Sequence, residues 1–369
     1  GAKAIGVARS TPVEEFRTWR RPSAEMTAKL APRPKLPAPM SWGAAWAKAP
    51  GPGAAGPRPA AGSAPGAPGA APARPAPAAP ARFSTTKGWP SRLPSASAKA
   101  IAAGVDQGAL TTTPSVHSHV VKVFLDGVVN APADTGALLT PYFTNIGTDA
   151  APNWVAGTNV GQLYFSTSQL TPLMLAAVDA GFDIHMHATG EGAVRTALDA
   201  VTATRAARPK ADFRPAIAHD ETVASADYPR FAAQDVMATM SFQWAQRASY
   251  SIGDTEHHLG ADRFARMEPS GSLRRAGARI VHGSDWPIDP FDTFLALKIG
   301  VTRSGDPQNP HSAASLAPIF EGPINADPAL TRDDVLAAIT INAAHQLRVE
   351  KQLGSLEKGK FADLIVLDK

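Results

Sequence analysis

Ile184-His185-Met186-His187-Ala188-Thr189-Gly190-Glu191 is a short apolar run that ends in a polar group and passes into a helical pattern. Three other stretches have the same form: Val121-Lys122-Val123-Phe124-Leu125-Asp126-Gly127, Ile217-Ala218-His219 and Gly283-Ser284-Asp285-Trp286-Pro287. Each reads as a strand whose C-terminal end presents a side chain to a turn or helix. Helical patterns lie between them, at 170–180 and 191–206. In the second, Ala193, Val194, Ala197, Leu198 and Val201 fall on one face. Alternating strands and helices, with polar residues at strand C-termini, point to a TIM-type barrel, whose chemistry sits at that end. Lys122, His187, His219 and Asp285, in that order, form a ligand set suited to a hard or borderline divalent ion.

The same reading predicts five barrel strands rather than eight, at 120–125, 182–187, 215–219, 235–241 and 279–282. Further helices are expected at 226–233, 270–276 and 291–299. One helix is expected over 331–347, with Thr331 as N-cap and Asp334 at the capping-box position. A last strand, 362–367, follows a Lys-Gly turn.

Composition divides the chain. Residues 1–118 hold 15 Lys and Arg against 4 Asp and Glu, so the remainder holds 21 against 28 of totals of 36 and 32. The basic part has no aromatic interleaving and no nucleic-acid motif, so no nucleic-acid partner is expected. Residues 31–98 contain 16 of the 34 prolines and read as a disordered Pro/Ala/Gly-rich segment, because such a composition buries too little apolar surface to offset ordering entropy. Two origins stand equally, a natural linker and a reading-frame error in a GC-rich gene. Residues 1–30 read as a remnant of the catalytic domain, with one short helix at 22–30. Cysteine is absent, which rules out disulfides and thiolate metal sites and fits a cytoplasmic enzyme. A first residue that is Gly leaves an export signal open. No apolar run approaches the roughly 20 residues of a membrane span, so no membrane partner is expected.

Residues 117–369 resemble the C-terminal two-thirds of amidohydrolase family 3, the YtcJ-like and N-substituted formamide deformylase branch of the metal-dependent amidohydrolase superfamily. The resemblance rests on the Lys-x-Phe-x-Asp-Gly segment at Lys122, on His187-Ala188-Thr189-Gly190-Glu191, on Gly283-Ser284-Asp285-Trp286-Pro287, and on the tail Gly354-Ser355-Leu356-Glu357-Lys358-Gly359-Lys360-Phe361-Ala362-Asp363. It implies that Lys122, on barrel strand 4, is carboxylated by CO2 and bridges metals as a carbamate. It implies that His187 and His219, ending strands 5 and 6, hold a second metal. Asp285, after strand 8, would bind metal and take the proton from the attacking water. Zinc is the expected metal, as one or two ions. Asp126, His185 and Trp286 are expected around these ligands rather than among them, with Asp126 either orienting Lys122 or starting the turn with Gly127. Gln243 is a further candidate for the pocket lining.

The chain departs from the family pattern at its N-terminal side. The His-x-His of strand 1 is absent, strands 2 and 3 are not recognisable, and the sandwich strands that pair with the tail are missing. His117-Ser118-His119 has the His-x-His form, but strand alternation turns it away from Lys122. The domains expected are a barrel at 117–350, strands 4–8, and a β-sandwich tail at 351–369. The function expected is a metal-dependent hydrolase of a non-peptide C–N bond in a small-molecule amide-type substrate, impaired in this chain. The alternative is a noncatalytic truncated or frame-shifted remnant. A Pro/Ala-rich interaction protein is a weaker third reading, since no SH3- or WW-type repeat occurs.

Overall fold

The computed structural model describes residues 5–8 and 117–366. The described residues fall in one compact unit of the chain. The expected helix at 22–30 and the Pro/Ala-rich segment 31–98 lie outside them. In chain order the strands are β1 (Ile5–Ala8), β2 (Val120–Phe124), β3 (Phe143–Asn145), β4 (Trp154–Ala156), β5 (Asp183–Ala188), β6 (Ala216–His219), β7 (Met237–Met240), β8 (Arg279–His282) and β9 (Asp363–Ile365). The α-helices are α1 (Thr167–Asp179), α2 (Glu191–Ala207), α3 (Tyr228–Ala233), α4 (Asp254–Leu259), α5 (Ala261–Phe264), α6 (Ser270–Arg275), α7 (Thr293–Thr302), α8 (Arg332–Ile339) and α9 (Ile341–Gln346).

β2, β5, β6, β7 and β8 form one parallel sheet in that order. Parallel pairing needs long crossovers, and the helices between the strands supply them. β6 and β7 are buried at every position, as central strands of a sheet covered on both faces should be. On one face Ile184, Met186, Ile217, Ala238, Met240 and Ile280 pack with Leu170 and Met174 of α1 and with Ala193, Val194, Ala197, Leu198 and Val201 of α2. Those five α2 residues are the set that periodicity placed on one face. Each fully buried Leu, Ile or Met here contributes roughly 1.5–3 kcal/mol relative to exposure. On the other face a smaller cluster, Ala216, Met237 and Val281, packs on Ala343 of α9. β2 and β8 are the outer strands of this sheet, and Val120 and Phe124 of β2 are exposed.

Three expectations are corrected. The tail strand β9 has a partner: it pairs antiparallel with β1, with Ile5 opposite Ile365 and Gly6 opposite Leu364. Residues 5–8 thus pair with the tail. The β-branched Ile5 and Val7 suit a strand, but four residues give too little alternation to be read as one. The single helix expected over 331–347 is two helices, broken at Thr340 (φ −118°, ψ −97°). Thr340 donates its hydroxyl to the Leu336 carbonyl at 2.6 Å, a side-chain bond that competes with helix continuation. The capping box at Thr331 and Asp334 is present as expected. The β3–β4 hairpin was not anticipated; three-residue strands carry almost no periodic signal.

The sheet's N-terminal end is tied by charge. Asp183 opens β5 almost fully buried and accepts from Arg348 Nη2 at 2.8 Å and from the Arg214 backbone N–H at 2.8 Å. Breaking a buried pair leaves an uncompensated charge, so Asp183→Ala should destabilise the fold by about 3–5 kcal/mol in denaturant unfolding. A loss under about 1 kcal/mol would show that this tie contributes little. His282 supplies a pH-dependent counterpart. It stacks on Phe242 at 4.9 Å, and burial lowers its pKa to about 4. The unfolded value is about 6.5, so between those limits the unfolded chain carries the extra proton. The stabilisation from burying His282 neutral is whole above about pH 6.5 and declines as pH falls to about 4. Replacing it by Phe should remove about 1.4 kcal/mol per pH unit of that slope. Equal slopes for both proteins, measured by urea unfolding from about pH 6.5 to about 4.5, would contradict this.

Candidate metal centre

The register of β2 against β5 builds the site. Lys122 pairs with His185, and Phe124 with His187. Side chains alternate along a strand, so Lys122, Phe124, His185 and His187 share the face opposite the helix-packed core. Lys122 sits one rung below His187, about 6–7 Å along the strand. β6 brings His219 to the next strand end. His219 has φ +82°, in the left-handed region that bulky residues rarely adopt, and Asp220 follows at +51°. This backbone sets the His219 ring edge-on to His187, with 4.5 Å between centroids. Trp244 stacks on the other side of His219 at 5.2 Å, and Phe124 packs on His187 at 4.9 Å.

The tautomer of His187 follows from its partner. Nε2 lies 2.7 Å from the Gly127 carbonyl oxygen. A carbonyl only accepts, so Nε2 carries the proton and Nδ1 keeps the free lone pair. His219 Nδ1 is buried without a hydrogen-bond partner, and so is His185 Nε2. Burial lowers the pKa of His187, that of His219 to about 2 and that of His185 to about 3; the neighbouring Lys122 charge lowers all three further. All three imidazoles are therefore neutral, the form that binds metals. Partial burial of its ammonium also lowers Lys122, while the Asp285 carboxylate pulls the other way. Behind the histidines, Asp220 and Glu221 are buried. Burial pushes Asp220 well up and Glu221 up to about 8.

Asp285 follows β8 at φ +52°. The turn before it is held from β7: Ser241 donates to the Gly283 carbonyl at 2.8 Å, and Gln243 Nε2 donates to the Ser284 carbonyl at 2.6 Å. Gln243 is thus buried and braces the loop rather than lining an open pocket, while Trp286 is 66% exposed. Asp126 is buried and accepts backbone N–H groups from Ala137, Thr189 and Gly190. His117 and His119 stack on each other at 4.9 Å ahead of β2, where the His119 carbonyl accepts from Asp183 at the start of β5. They belong to the end of the sheet opposite His187.

The donors present fit one ion incompletely. Among the described residues no three His, Cys, Asp or Glu side chains stand together as a metal-holding group. His187 and His219 do come together, and the orphaned Nδ1 of His219 is what an imidazole ligand awaiting an ion shows. A third ligand must come from Lys122, whose ammonium is no ligand until it is modified. Trp244, Phe124 and the Gly127 carbonyl were missed in sequence. Only their places at or after strand ends marked them.

The model of the amidohydrolase family matches residues 73–369, beginning upstream of the stretch that carried the resemblance. N-substituted formamide deformylase of Arthrobacter pascens is 27% identical over 216 residues, 58% of this chain and 36% of that protein. The Arabidopsis thaliana protein LONG AFTER FAR-RED 3 is 26% identical over 248 residues, 67% of this chain and 38% of that protein. The chain thus spans little more than a third of either relative's length. An uncharacterized metal-dependent hydrolase from Pyrococcus horikoshii OT3 superposes with a TM-score of 0.53 at 24% identity, over 68% of this chain and 44% of that one, which establishes a shared fold. With the family model matched over residues 73–369, this chain belongs to the amidohydrolase family.

Proposed function

We propose that the protein is a metal-dependent hydrolase of non-peptide C–N bonds in small amide-type molecules, and that the activity is impaired in this chain. Family membership implies a divalent metal. The reading is carried by the His187–His219 pair, two neutral imidazoles 4.5 Å apart at the C-terminal end of a parallel sheet, with Lys122 one rung below. Zinc is the expected ion, and when bound it supplies a water whose pKa is lowered toward neutrality. Lys122 joins the ligands after CO2 adds to it: the neutral amine forms the new C–N bond, Nζ releases a proton, and the product is a carbamate with carboxylate-like oxygens. The lowered pKa of Lys122 enlarges the neutral fraction that reacts. Asp285 takes the proton of the attacking water, and its loop is braced by Ser241 and Gln243. His117 and His119 are at the far end of the sheet, which supports one ion rather than two, and hence weak turnover.

Zinc titration of the purified chain, with bicarbonate present, tests this. One equivalent should bind. His187→Ala and His219→Ala should each weaken binding by at least about 10–100-fold, whereas His117→Ala and His119→Ala should leave it unchanged. Chelation should abolish residual amide hydrolysis. Unchanged zinc affinity in both the His187 and His219 variants would overturn the site; two equivalents with robust turnover would overturn the impairment. One bound equivalent with no hydrolysis at all would favour the noncatalytic remnant.

A further inference from the structure

We propose that Asp126 is a positioning residue for His187: it holds the Gly127 carbonyl against Nε2 and so fixes the imidazole with Nδ1 free. Its consequence for metal binding rests on the reading of His187 as a ligand; its consequence for the tautomer does not.

Asp126 is 1% exposed at the end of β2. Its Oδ1 accepts from the Thr189 backbone N–H at 3.0 Å. Its Oδ2 accepts from Ala137 N–H at 2.9 Å and Gly190 N–H at 2.8 Å, with the Thr189 hydroxyl at 3.2 Å. A carboxylate at this place draws three backbone N–H groups from two segments onto one point. The approach is close enough that a Cβ on Gly190 would stand 2.2 Å from the Ala137 carbonyl oxygen, so the turn after β5 requires glycine. The Thr189 hydroxyl has one proton, and the Gly127 carbonyl at 2.9 Å is its nearer acceptor. That carbonyl therefore serves two donors, Thr189 Oγ1 and His187 Nε2 at 2.7 Å. Asp126 Oδ1 lies 3.5 Å from the same Nε2, and its negative charge favours the tautomer with the proton there. The arrangement reaches the second histidine as well. The Thr189 carbonyl accepts from Thr222 N–H at 2.9 Å and from its hydroxyl at 3.0 Å, in the loop that follows His219.

Asparagine fits the same space but must turn an NH2 toward one of the three backbone donors, two donors facing each other. Asp126→Asn should therefore loosen the cradle without emptying it. Thr189→Val removes the second donor to Gly127, and Thr189→Ser restores it. Two measurements on the full chain test the role of Asp126. Long-range proton–nitrogen NMR of the ring nitrogens, with His187 assigned by its loss in His187→Ala, should show one Nε2-protonated tautomer in the wild type and in Thr189→Ser. It should show a mixture in Asp126→Asn and Thr189→Val. Zinc affinity, read by chelator competition, should fall about 10–100-fold in the last two, the scale of partners behind a metal ligand. An unchanged His187 tautomer in both of those variants overturns the proposal. If Asp126→Asn does not fold, the tautomers of Thr189→Val and Thr189→Ser decide by the same criteria. Should His187→Ala bind zinc like the wild type, the ligand reading fails, and the tautomer comparison still decides the role of Asp126.

Discussion

Everything at the candidate site depends on one register, the parallel pairing of β2 with β5. Lys122 opposite His185 and Phe124 opposite His187 set which face holds the titratable groups and which meets the helices. A slip of one residue would send Lys122 into the apolar layer and bring Val121 and Val123 out, because side chains along a strand alternate with period two. The register is protected from both sides. Ile184 and Met186 are locked into the core with α1 and α2, and Asp126, just past the end of β2, is fastened to the turn after β5 by two backbone donors, Thr189 and Gly190.

The second constraint is burial of polar groups where they cannot all be solvated. His187, His219, Asp220 and Glu221 are buried side by side across two strand ends. Removing charged forms from water is costly, so burial lowers the pKa of the two histidines and raises that of the two acids. Neutral imidazoles with free lone pairs suit a cation. Aromatic contacts from Trp244 and Phe124 limit the motion of the two rings.

The fold was legible where an element was long or strongly patterned. α2 shows its apolar face in sequence, and β8 was bounded correctly by its Arg-Ile-Val-His run between turn residues. The capping box at Thr331 and Asp334 likewise follows from local chemistry. What escaped was short or decided from a distance. β1 and β9 are four- and three-residue strands that stabilise each other across the whole length of the chain. Thr340 breaks a helix whose periodicity runs on through it, by a bond from its own side chain.

The sequence by itself determined the order Lys122, His187, His219 and Asp285, on or just after successive strands, since hydrophobic periodicity and turn residues are local and fix where strands lie. It also determined that thiolates play no part, cysteine being absent. Only the tertiary structure decided which nitrogen of His187 is free, that His219 lies edge-on to it, and that the Asp126 carboxylate accepts from the backbone of Ala137, Thr189 and Gly190. Those outcomes depend on hydrogen bonds between residues some sixty positions apart, such as His187 to Gly127. No spacing rule carries that information, because it is created when separate strands are brought side by side and their ends must share donors and acceptors.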